Sequence, residues 1–124
     1  MEQRTQPPRT VLFVDDDETT RAAAKDFLEE EGYRVVLAAD GAEALEVFGT
    51  AEPSVVVTDL EMPRISGDQV VAQIRLRSRK TPVIIITGHR TLDARRLAED
   101  VGADGFLNKP IDFMAFLELL QQHS

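Results

Sequence analysis

The sequence predicts an α/β protein built on a five-stranded parallel sheet of order 2-1-3-4-5, doubly wound with helices on both faces. Short aliphatic runs alternate five times along the chain with segments whose apolar residues recur at helical spacing. The most apolar run, Val83-Ile84-Ile85-Ile86, is typical of a strand buried on both faces. A length of 124 residues fits one domain with a single core.

Local signals place each element in turn. We predict strands at residues 10–14, 34–38, 54–58, 82–87 and 104–107. We predict helices at 18–31, from about 41, and at 68–79, 91–101 and 112–122, with Gly32 ending the first. The fourth helix carries Ala94, Leu97, Ala98 and Val101 on one inward face. Residues 1–9 are expected to form a flexible tail before a domain spanning 10–124, because their polar residues and two prolines offer nothing to bury.

Composition argues against several classes of function. The net charge of −8 disfavours direct binding to nucleic acid or to anionic membranes. We interpret the basic segment 75–80 as the C-terminal end of a helix, where positive charge complements the helix dipole. The absence of cysteine excludes disulfides and thiol catalysis. Because no segment resembles a signal peptide or a membrane span, we expect a cytoplasmic protein.

Polar residues follow the strands at one edge of the predicted sheet. In the order 2-1-3-4-5, ligands bind in the crevice at the C-terminal ends of strands 1 and 3. Asp15-Asp16-Asp17 follows strand 1 and Asp59 follows strand 3, while strands 4 and 5 deliver Thr87 and Lys109. Clustered carboxylates repel one another unless a cation is present, and an all-oxygen site suits Mg²⁺. One aspartate of the run 15–17 is expected to be the N-cap of the first helix.

Four motifs, in their order and spacing, resemble the receiver domain of two-component response regulators, of the chemotaxis-regulator-like single-domain type. The resemblance covers essentially the whole chain from Thr10. The motifs are Val11-Leu12-Phe13-Val14-Asp15-Asp16, Asp59-Leu60-Glu61-Met62-Pro63 with Gly67 eight residues after the aspartate, Ile86-Thr87-Gly88, and Gly102-Ala103-Asp104-Gly105-Phe106-Leu107-Asn108-Lys109-Pro110. The resemblance implies a flavodoxin-like receiver fold. It also implies a phosphoprotein of signal transduction that promotes only its own phosphorylation and dephosphorylation, and so is not an enzyme in the ordinary sense.

The resemblance also implies roles for individual residues. Asp59 would be the phosphoacceptor. Mg²⁺, or Mn²⁺ in its place, would be held by Asp16, Asp59 and the backbone carbonyl of Glu61, with Asp15 acting through water. Lys109 and Thr87 would contact phosphoryl oxygens. The other implied roles are a switch aromatic at Phe106, tuning of the acyl-phosphate lifetime by Glu61 and His89, and a Lys109–Pro110 peptide that could be cis.

The implied partners are proteins. A histidine kinase or histidine phosphotransferase would donate the phosphoryl group. Phosphorylation would then switch the face formed by strand 4, helix 4, strand 5 and helix 5, which would bind a downstream protein target.

Three other interpretations stay open. The segment Asp15-Asp16-Asp17-Glu18-Thr19 fits the D-x-D-x-T signature of haloacid-dehalogenase-type phosphatases, in which Asp15 would be the nucleophile and Asp17 the acid/base. That interpretation leaves the motif around Asp59 unexplained. A receiver-like scaffold could also bind partners without being phosphorylated. A flavin carrier of the same topology would need a Ser/Thr/Gly-rich phosphate loop after strand 1, where this chain has an acidic run.

Overall fold

The computed structural model describes residues 9–88 and 92–123, and these contain five strands and five helices in alternation. The strands are β1 (Thr10–Val14), β2 (Arg34–Ala38), β3 (Val55–Asp59), β4 (Val83–Thr87) and β5 (Gly105–Asn108). The helices are α1 (Glu18–Glu30), α2 (Gly41–Ala51), α3 (Gly67–Arg77), α4 (Leu92–Asp100) and α5 (Phe113–His123). Apart from the exposed Arg9, the predicted tail lies outside the described residues, and so does His89.

The strands form one parallel sheet of order β2-β1-β3-β4-β5, which confirms the predicted fold. The register pairs Val14 of β1 with Thr58 of β3, and Thr87 of β4 with Asn108 of β5. Strands β3 and β4 are buried along their whole length, which accounts for their apolar, β-branched composition. The C-terminal ends of β1 and β3 therefore lie side by side, where the order of the strands reverses.

Alternate residues of the strands fill two hydrophobic cores, one on each face of the sheet. One core joins the sheet to α2, α3 and α4 through Leu12, Val14, Ala38, Ala44, Phe48, Val56, Leu60, Val70, Val71, Ile74, Val83, Ile85, Ala94 and Ala98. The other joins it to α1 and α5 through Val11, Phe13, Ala24, Leu28, Val55, Val57, Ile84, Ile86, Phe116 and Leu120. Each fully buried aliphatic or aromatic side chain contributes about 1.5–3 kcal/mol relative to exposure, so this burial holds the helices on the sheet.

Polar residues fix the ends of the helices beside the C-terminal edge of the sheet. Asp17 is the N-cap of α1, and its carboxylate accepts a 2.6 Å hydrogen bond from the Thr20 hydroxyl and a 3.4 Å bond from the Thr19 N–H. Ser66 begins α3, and its N–H donates to the Gln69 side chain at 3.0 Å. At the opposite edge of the sheet, helix α1 ends before Gly32, whose φ of +96° favours glycine.

The opposite, N-terminal edge of β4 and β5 is held by Arg75 from the end of α3. Its guanidinium donates to the carbonyl oxygens of Gly102 (2.9 Å) and Thr81 (2.7 Å), and to Asp104 Oδ2 (2.7 Å). The same Asp104 oxygen accepts the N–H of Val83 at 2.8 Å. The basic helix end predicted from sequence is present, and Arg75 in addition joins α3 to the starts of both strands.

The structure differs from the prediction in several details, most of them shifts of one or two residues at the ends of elements. Leu97, predicted to face inward, is 39% exposed, because α4 turns Ala94 and Ala98 toward the core and leaves Leu97 beside the loop after β3. Strands β3 and β5 each begin and end one residue later than predicted. Asp59 is consequently the last residue of β3 and pairs with Ile86, so its backbone is part of the sheet.

Candidate functional site

The ends of β1 and β3 bring three carboxylates together. Asp15, Asp16 and Asp59 each offer an oxygen, and these oxygens all lie within 4.8 Å of one another. Asp15 is 1% exposed and Asp59 is 5% exposed, whereas Asp16 faces solvent. The sheet register produces this grouping, because the paired residues Val14 and Thr58 directly precede Asp15 and Asp59. An all-oxygen donor set that is open to water on one side fits Mg²⁺.

Lys109 places a cation among these carboxylates. It follows β5, and its backbone N–H donates to the Thr87 carbonyl at 2.8 Å, which brings its side chain to the C-terminal edge of the sheet. The ammonium Nζ lies 2.8 Å from Asp15 Oδ2 and 3.0 Å from Asp59 Oδ2. The Lys109–Pro110 peptide is cis. Both buried carboxylates are therefore paired with one positive charge.

The environment of Asp59 raises the pKa of its carboxyl group to about 6 from an ordinary 3.8. Burial is the main cause, the hydrogen bond from Lys109 opposes it, and the neighbouring Asp15 adds to it. For Lys109, burial acts to lower the pKa, but hydrogen bonds and ion pairs with Asp15 and Asp59 outweigh it, so the pKa is raised. The site thus holds more negative charge than Lys109 alone neutralises, which is the condition a divalent cation would relieve.

Thr87 lies beside the carboxylates and bonds to Glu61. Its hydroxyl is fully buried and lies 2.8 Å and 2.9 Å from the two carboxylate oxygens of Glu61. Glu61 is exposed, so its carboxylate bridges a buried donor and the solvent. The resemblance assigns the Thr87 hydroxyl to a phosphoryl oxygen. In this structure the Glu61 carboxylate accepts the hydrogen bond from the Thr87 hydroxyl.

The loop between β3 and α3 is packed directly against the backbone of Asp59. A Cβ added to Gly67 would lie 2.1 Å from the Asp59 carbonyl oxygen, so only glycine fits. The loop closes on itself through the bond from the Gly67 N–H to the Leu60 carbonyl (2.8 Å), while the Glu61 N–H reaches Asp59 Oδ1 at 3.3 Å. These contacts hold the backbone of Glu61 beside Asp59.

An open groove of about 580 Å³ adjoins the carboxylates on the side of this loop. Its lining includes Asp16, Leu60, Glu61, Met62, Pro63 and Leu97. The groove gives Asp16 and Glu61 access to solvent, and it explains why Leu97 is not covered.

Phe106, the predicted switch aromatic, lies on β5 next to Ile85 of β4 and is half-buried. It packs against the core on the α2–α3–α4 face, and the guanidinium carbon of Arg95 lies 5.4 Å from its ring centroid. Arg95 was not predicted, since a cation–π contact between α4 and β5 leaves no pattern in the sequence.

Asp17, the remaining predicted residue of the run 15–17, lies outside the carboxylate cluster. Asp17 caps α1, and its bonds to Thr19 and Thr20 lower the pKa of its carboxyl group, the bond from Thr20 most of all. That role leaves it poorly suited to be the acid/base of a phosphatase. Arg21, which was not predicted from the sequence, donates from Nη1 to the Asp15 carbonyl at 2.7 Å and so holds the end of β1.

Fold and site together define a class of protein: a doubly wound α/β domain with a lysine-paired acidic crevice at its switch point. Residues 11–121 match the response regulator receiver domain family, so the chain belongs to that family. It is a receiver domain of two-component signalling whose acidic pocket contains Asp15, Asp16 and Asp59.

Known relatives agree with this assignment. The chain is 38% identical over 103 residues to the response regulator MprA of Mycobacterium sp. (strain KMS), a match that covers 83% of this chain and 45% of that protein. It thus spans less than half the length of that relative. The structure of the chemotaxis protein CheY4 of Vibrio cholerae superposes with a TM-score of 0.89 at 33% identity, covering 94% of this chain and 99% of that one. A receiver domain protein from Clostridium thermocellum gives 0.88 at 32% identity, with 93% of each chain covered.

Among the described residues, no helix has the length and apolar character needed to cross a lipid bilayer.

Proposed function

We propose that Asp59 accepts a phosphoryl group from a phosphohistidine donor, a histidine kinase or a histidine phosphotransferase, and forms an acyl-phosphate. The observation that supports this best is the convergence of Asp15, Asp16 and Asp59 with Lys109, whose Nζ lies 3.0 Å from Asp59 Oδ2. A carboxylate nucleophile beside a cation at the switch point of the sheet is suited to phosphoryl transfer.

The transfer exchanges one bond to phosphorus for another. A carboxylate oxygen of Asp59 attacks the phosphorus, a P–O bond forms, and the P–N bond to the donor imidazole breaks. The released nitrogen takes up a proton. The reaction needs the ionised form of Asp59, and with a pKa of about 6 that form predominates at neutral pH. Lys109 would then donate a charge-assisted hydrogen bond to an oxygen of the transferred phosphoryl group.

A divalent cation completes the proposed site. Asp16, Asp59 and the backbone carbonyl of Glu61 would hold Mg²⁺ or Mn²⁺, with Asp15 acting through water. When bound, the ion would neutralise negative charge on the oxygens of the transferring group. The grouping of the carboxylate oxygens and the raised pKa of Asp59 support this assignment.

The proposed output is a change in the face made by β4, α4, β5 and α5, which would bind a downstream protein in the cytoplasm. Thr87 at the end of β4 and Phe106 on β5 would couple the site to this face, and Glu61 and His89 would tune the lifetime of the acyl-phosphate. Thr87 lies next to Lys109 through its carbonyl, which supports the coupling. Amide shifts from Thr87 to Phe106 should change when beryllofluoride and Mg²⁺ are added.

The deciding experiment is phosphorylation with phosphoramidate and Mg²⁺, followed by borohydride reduction and peptide mapping by mass spectrometry. We expect the mass change that marks a borohydride-reduced acyl-phosphate at position 59. The change should be absent in Asp59→Asn and absent when EDTA replaces Mg²⁺. Label at Asp15 would indicate phosphatase chemistry instead. An unlabelled protein that still binds partners would indicate a scaffold without phosphorylation.

The donor class needs a separate measurement, because phosphoramidate bypasses the kinase. Phosphotransfer profiling against the histidine kinases of the host should show one donor that labels the wild type much faster than the others. Asp59→Asn should remain unlabelled by that donor.

A further inference from the structure

We propose that Glu61 is a positioning residue that competes with the phosphoryl group for the Thr87 hydroxyl. In the structure both carboxylate oxygens of Glu61 lie within hydrogen-bonding distance of Thr87 Oγ1, at 2.8 Å and 2.9 Å. This inference rests on the proposed function, since it takes phosphoryl binding at Asp59 as given.

The competition follows from the number of protons available. A threonine hydroxyl has one proton to donate, so it can bond strongly to one acceptor at a time. Thr87 is fully buried, and an unsatisfied buried hydroxyl is costly. In the unphosphorylated protein the Glu61 carboxylate is the anionic acceptor of the hydrogen bond from the Thr87 hydroxyl. A phosphoryl oxygen on Asp59 can accept the same proton only after Glu61 releases it.

The geometry allows the Glu61 side chain to move while its backbone stays beside Asp59. Its backbone N–H is directed to Asp59 Oδ1 at 3.3 Å, and the loop is closed by the bond between Gly67 and Leu60. The side chain is exposed and borders the open groove. Rotation about its side-chain torsions therefore moves the carboxylate away from Thr87 and toward the groove, while the backbone stays in place.

The bond between Glu61 and Thr87 therefore makes activation less favourable in free energy, and this effect does not involve the nucleophile Asp59. Part of the free energy gained when Thr87 binds a phosphoryl oxygen is offset by the lost bond to Glu61. Removing the Glu61 acceptor should therefore strengthen binding of an acyl-phosphate mimic. Glu61 acts through Thr87, which distinguishes this role from general repulsion by its charge.

The test is titration of the full chain with beryllofluoride and Mg²⁺, followed by amide NMR. We expect Glu61→Ala to bind the mimic about threefold to tenfold more tightly than wild type, because the bond it removes is to a charged acceptor but lies partly in solvent. Glu61→Gln should gain less, because its amide oxygen still accepts from Thr87. Asp68→Asn is the matched control, since it removes a carboxylate beside the same groove that does not contact Thr87.

A double-mutant cycle decides whether the effect passes through the hydroxyl. In Thr87→Val, which keeps the shape and lacks the proton, adding Glu61→Ala should change the affinity by less than about twofold. A full gain in that background, or an equal gain in Glu61→Gln and Asp68→Asn, would mean that charge is the cause and would overturn the inference. Absence of binding in the wild type would instead count against the proposed function.

A second measurement requires no ligand. In metal-free protein, Glu61→Ala should shift the methyl and amide resonances of Thr87, whereas Asp68→Asn should leave them unchanged. Unchanged Thr87 resonances in Glu61→Ala would show that the bond is not formed in solution and would also overturn the inference.

Discussion

The central strands and the outer strand β5 contribute to the same site in different ways. Asp15 and Asp59 follow or end strands that are buried on both faces, and they are 1% and 5% exposed. All four residues of β5 are half-buried, β5 is an edge strand of the sheet in the described part of the chain, and the Lys109 side chain that follows it is 25% exposed. The carboxylates are therefore held by the most deeply buried part of the sheet, and the cation and the aromatic residue by one of its edges.

This difference indicates which groups can move. Segments with few buried contacts open at lower free energy than the core to which they attach. A receiver needs a nucleophile that stays in place and a surface that changes, so the division between centre and edge matches the two tasks. Four measurements test that division, each with a matched comparison residue.

The largest expected effect is at the loop that packs on Asp59. We expect Gly67→Ala to lower the free energy of unfolding by about 3–5 kcal/mol, because the new Cβ would meet backbone atoms of Asp59 and Leu60 that have no room to move. Gly105→Ala in β5 should cost only about 1 kcal/mol, because its Cβ would meet side-chain atoms of Ile84 and Leu119, at 3.2 Å and 3.4 Å, rather than backbone. Urea denaturation measures both.

Gly49→Ala is the control for these glycine substitutions. Gly49 lies in α2, and nothing is within 4 Å of its added Cβ, so alanine should stabilise by about 0.5–1 kcal/mol. Equal losses at positions 67 and 105 would contradict the distinction between centre and edge.

Next is the cation that joins the two regions. In EDTA at pH 7.5, Lys109→Met should lower the free energy of unfolding by about 1–3 kcal/mol, since it leaves two buried carboxylates without their partner, although some solvent reaches the pair. The variant should also bind Mg²⁺ more tightly, because the ion no longer competes with an ammonium group. Calorimetric titration and thermal melts measure the two effects.

Lys25→Met provides the matched control. It removes a cation from an exposed pair with Glu29 on α1, whose side chains are 41% and 45% exposed, and should cost less than about 0.5 kcal/mol. Similar losses in the two lysine variants, or unchanged Mg²⁺ affinity, would show that Lys109 is not a functional part of the carboxylate cluster.

A smaller effect is expected from the pKa of Asp59. A carboxyl group whose pKa is raised on folding, here to about 6 from 3.8, stabilises the folded state below about pH 4 and loses that contribution as the pH rises through 6. In EDTA at pH 7.5, Asp59→Asn should therefore be more stable than wild type by about 1–2 kcal/mol, a value reduced for solvent screening. The difference should shrink toward zero below pH 4.

Asp17→Asn is the comparison for this pH series. Asp17 is an exposed N-cap whose carboxyl pKa is lowered by its bond from Thr20, so its contribution is present at neutral pH and is lost as the pH falls. Opposite signs at positions 59 and 17 are expected. An Asp59→Asn protein that is less stable than wild type at pH 7.5 would mean that burial does not dominate at this carboxylate.

The smallest effect is expected at the edge. Arg95→Ala should cost about 0.5 kcal/mol or less, because the cation over the Phe106 ring is exposed to solvent. Its main signature should be shifted ring resonances of Phe106, with Arg96→Ala on the same helix as the control. Ring resonances unchanged by Arg95→Ala would show that the contact is absent in solution.

The fold and most of the site were predictable for a simple reason. Parallel strands end at a common edge, so residues that follow strands 1, 3 and 5 must meet once the order of the strands is known. Asp15, Asp59 and Lys109 are such residues, and they meet as predicted.

The contacts that were missed depend on side-chain torsions and on small rotations of helices. The bond between Thr87 and Glu61 joins residues 26 apart in sequence, and nothing in their spacing shows that the torsions allow it. The exposure of Leu97 depends on how far α4 is turned about its axis, which a pattern of four apolar residues does not determine. The contact of Arg95 with Phe106 depends on the same rotation.

The hydrogen bonds made by Arg75 have a mechanical consequence for β5. Gly102 and Asp104 are hydrogen-bonded to α3 and to the start of β4. The N-terminal end of β5 is therefore fixed in position. We expect a displacement of Lys109 to rotate β5 about this fixed end. Asn108 would then move the greatest distance, whereas Phe106, which lies nearer the fixed end, would change its orientation more than its position.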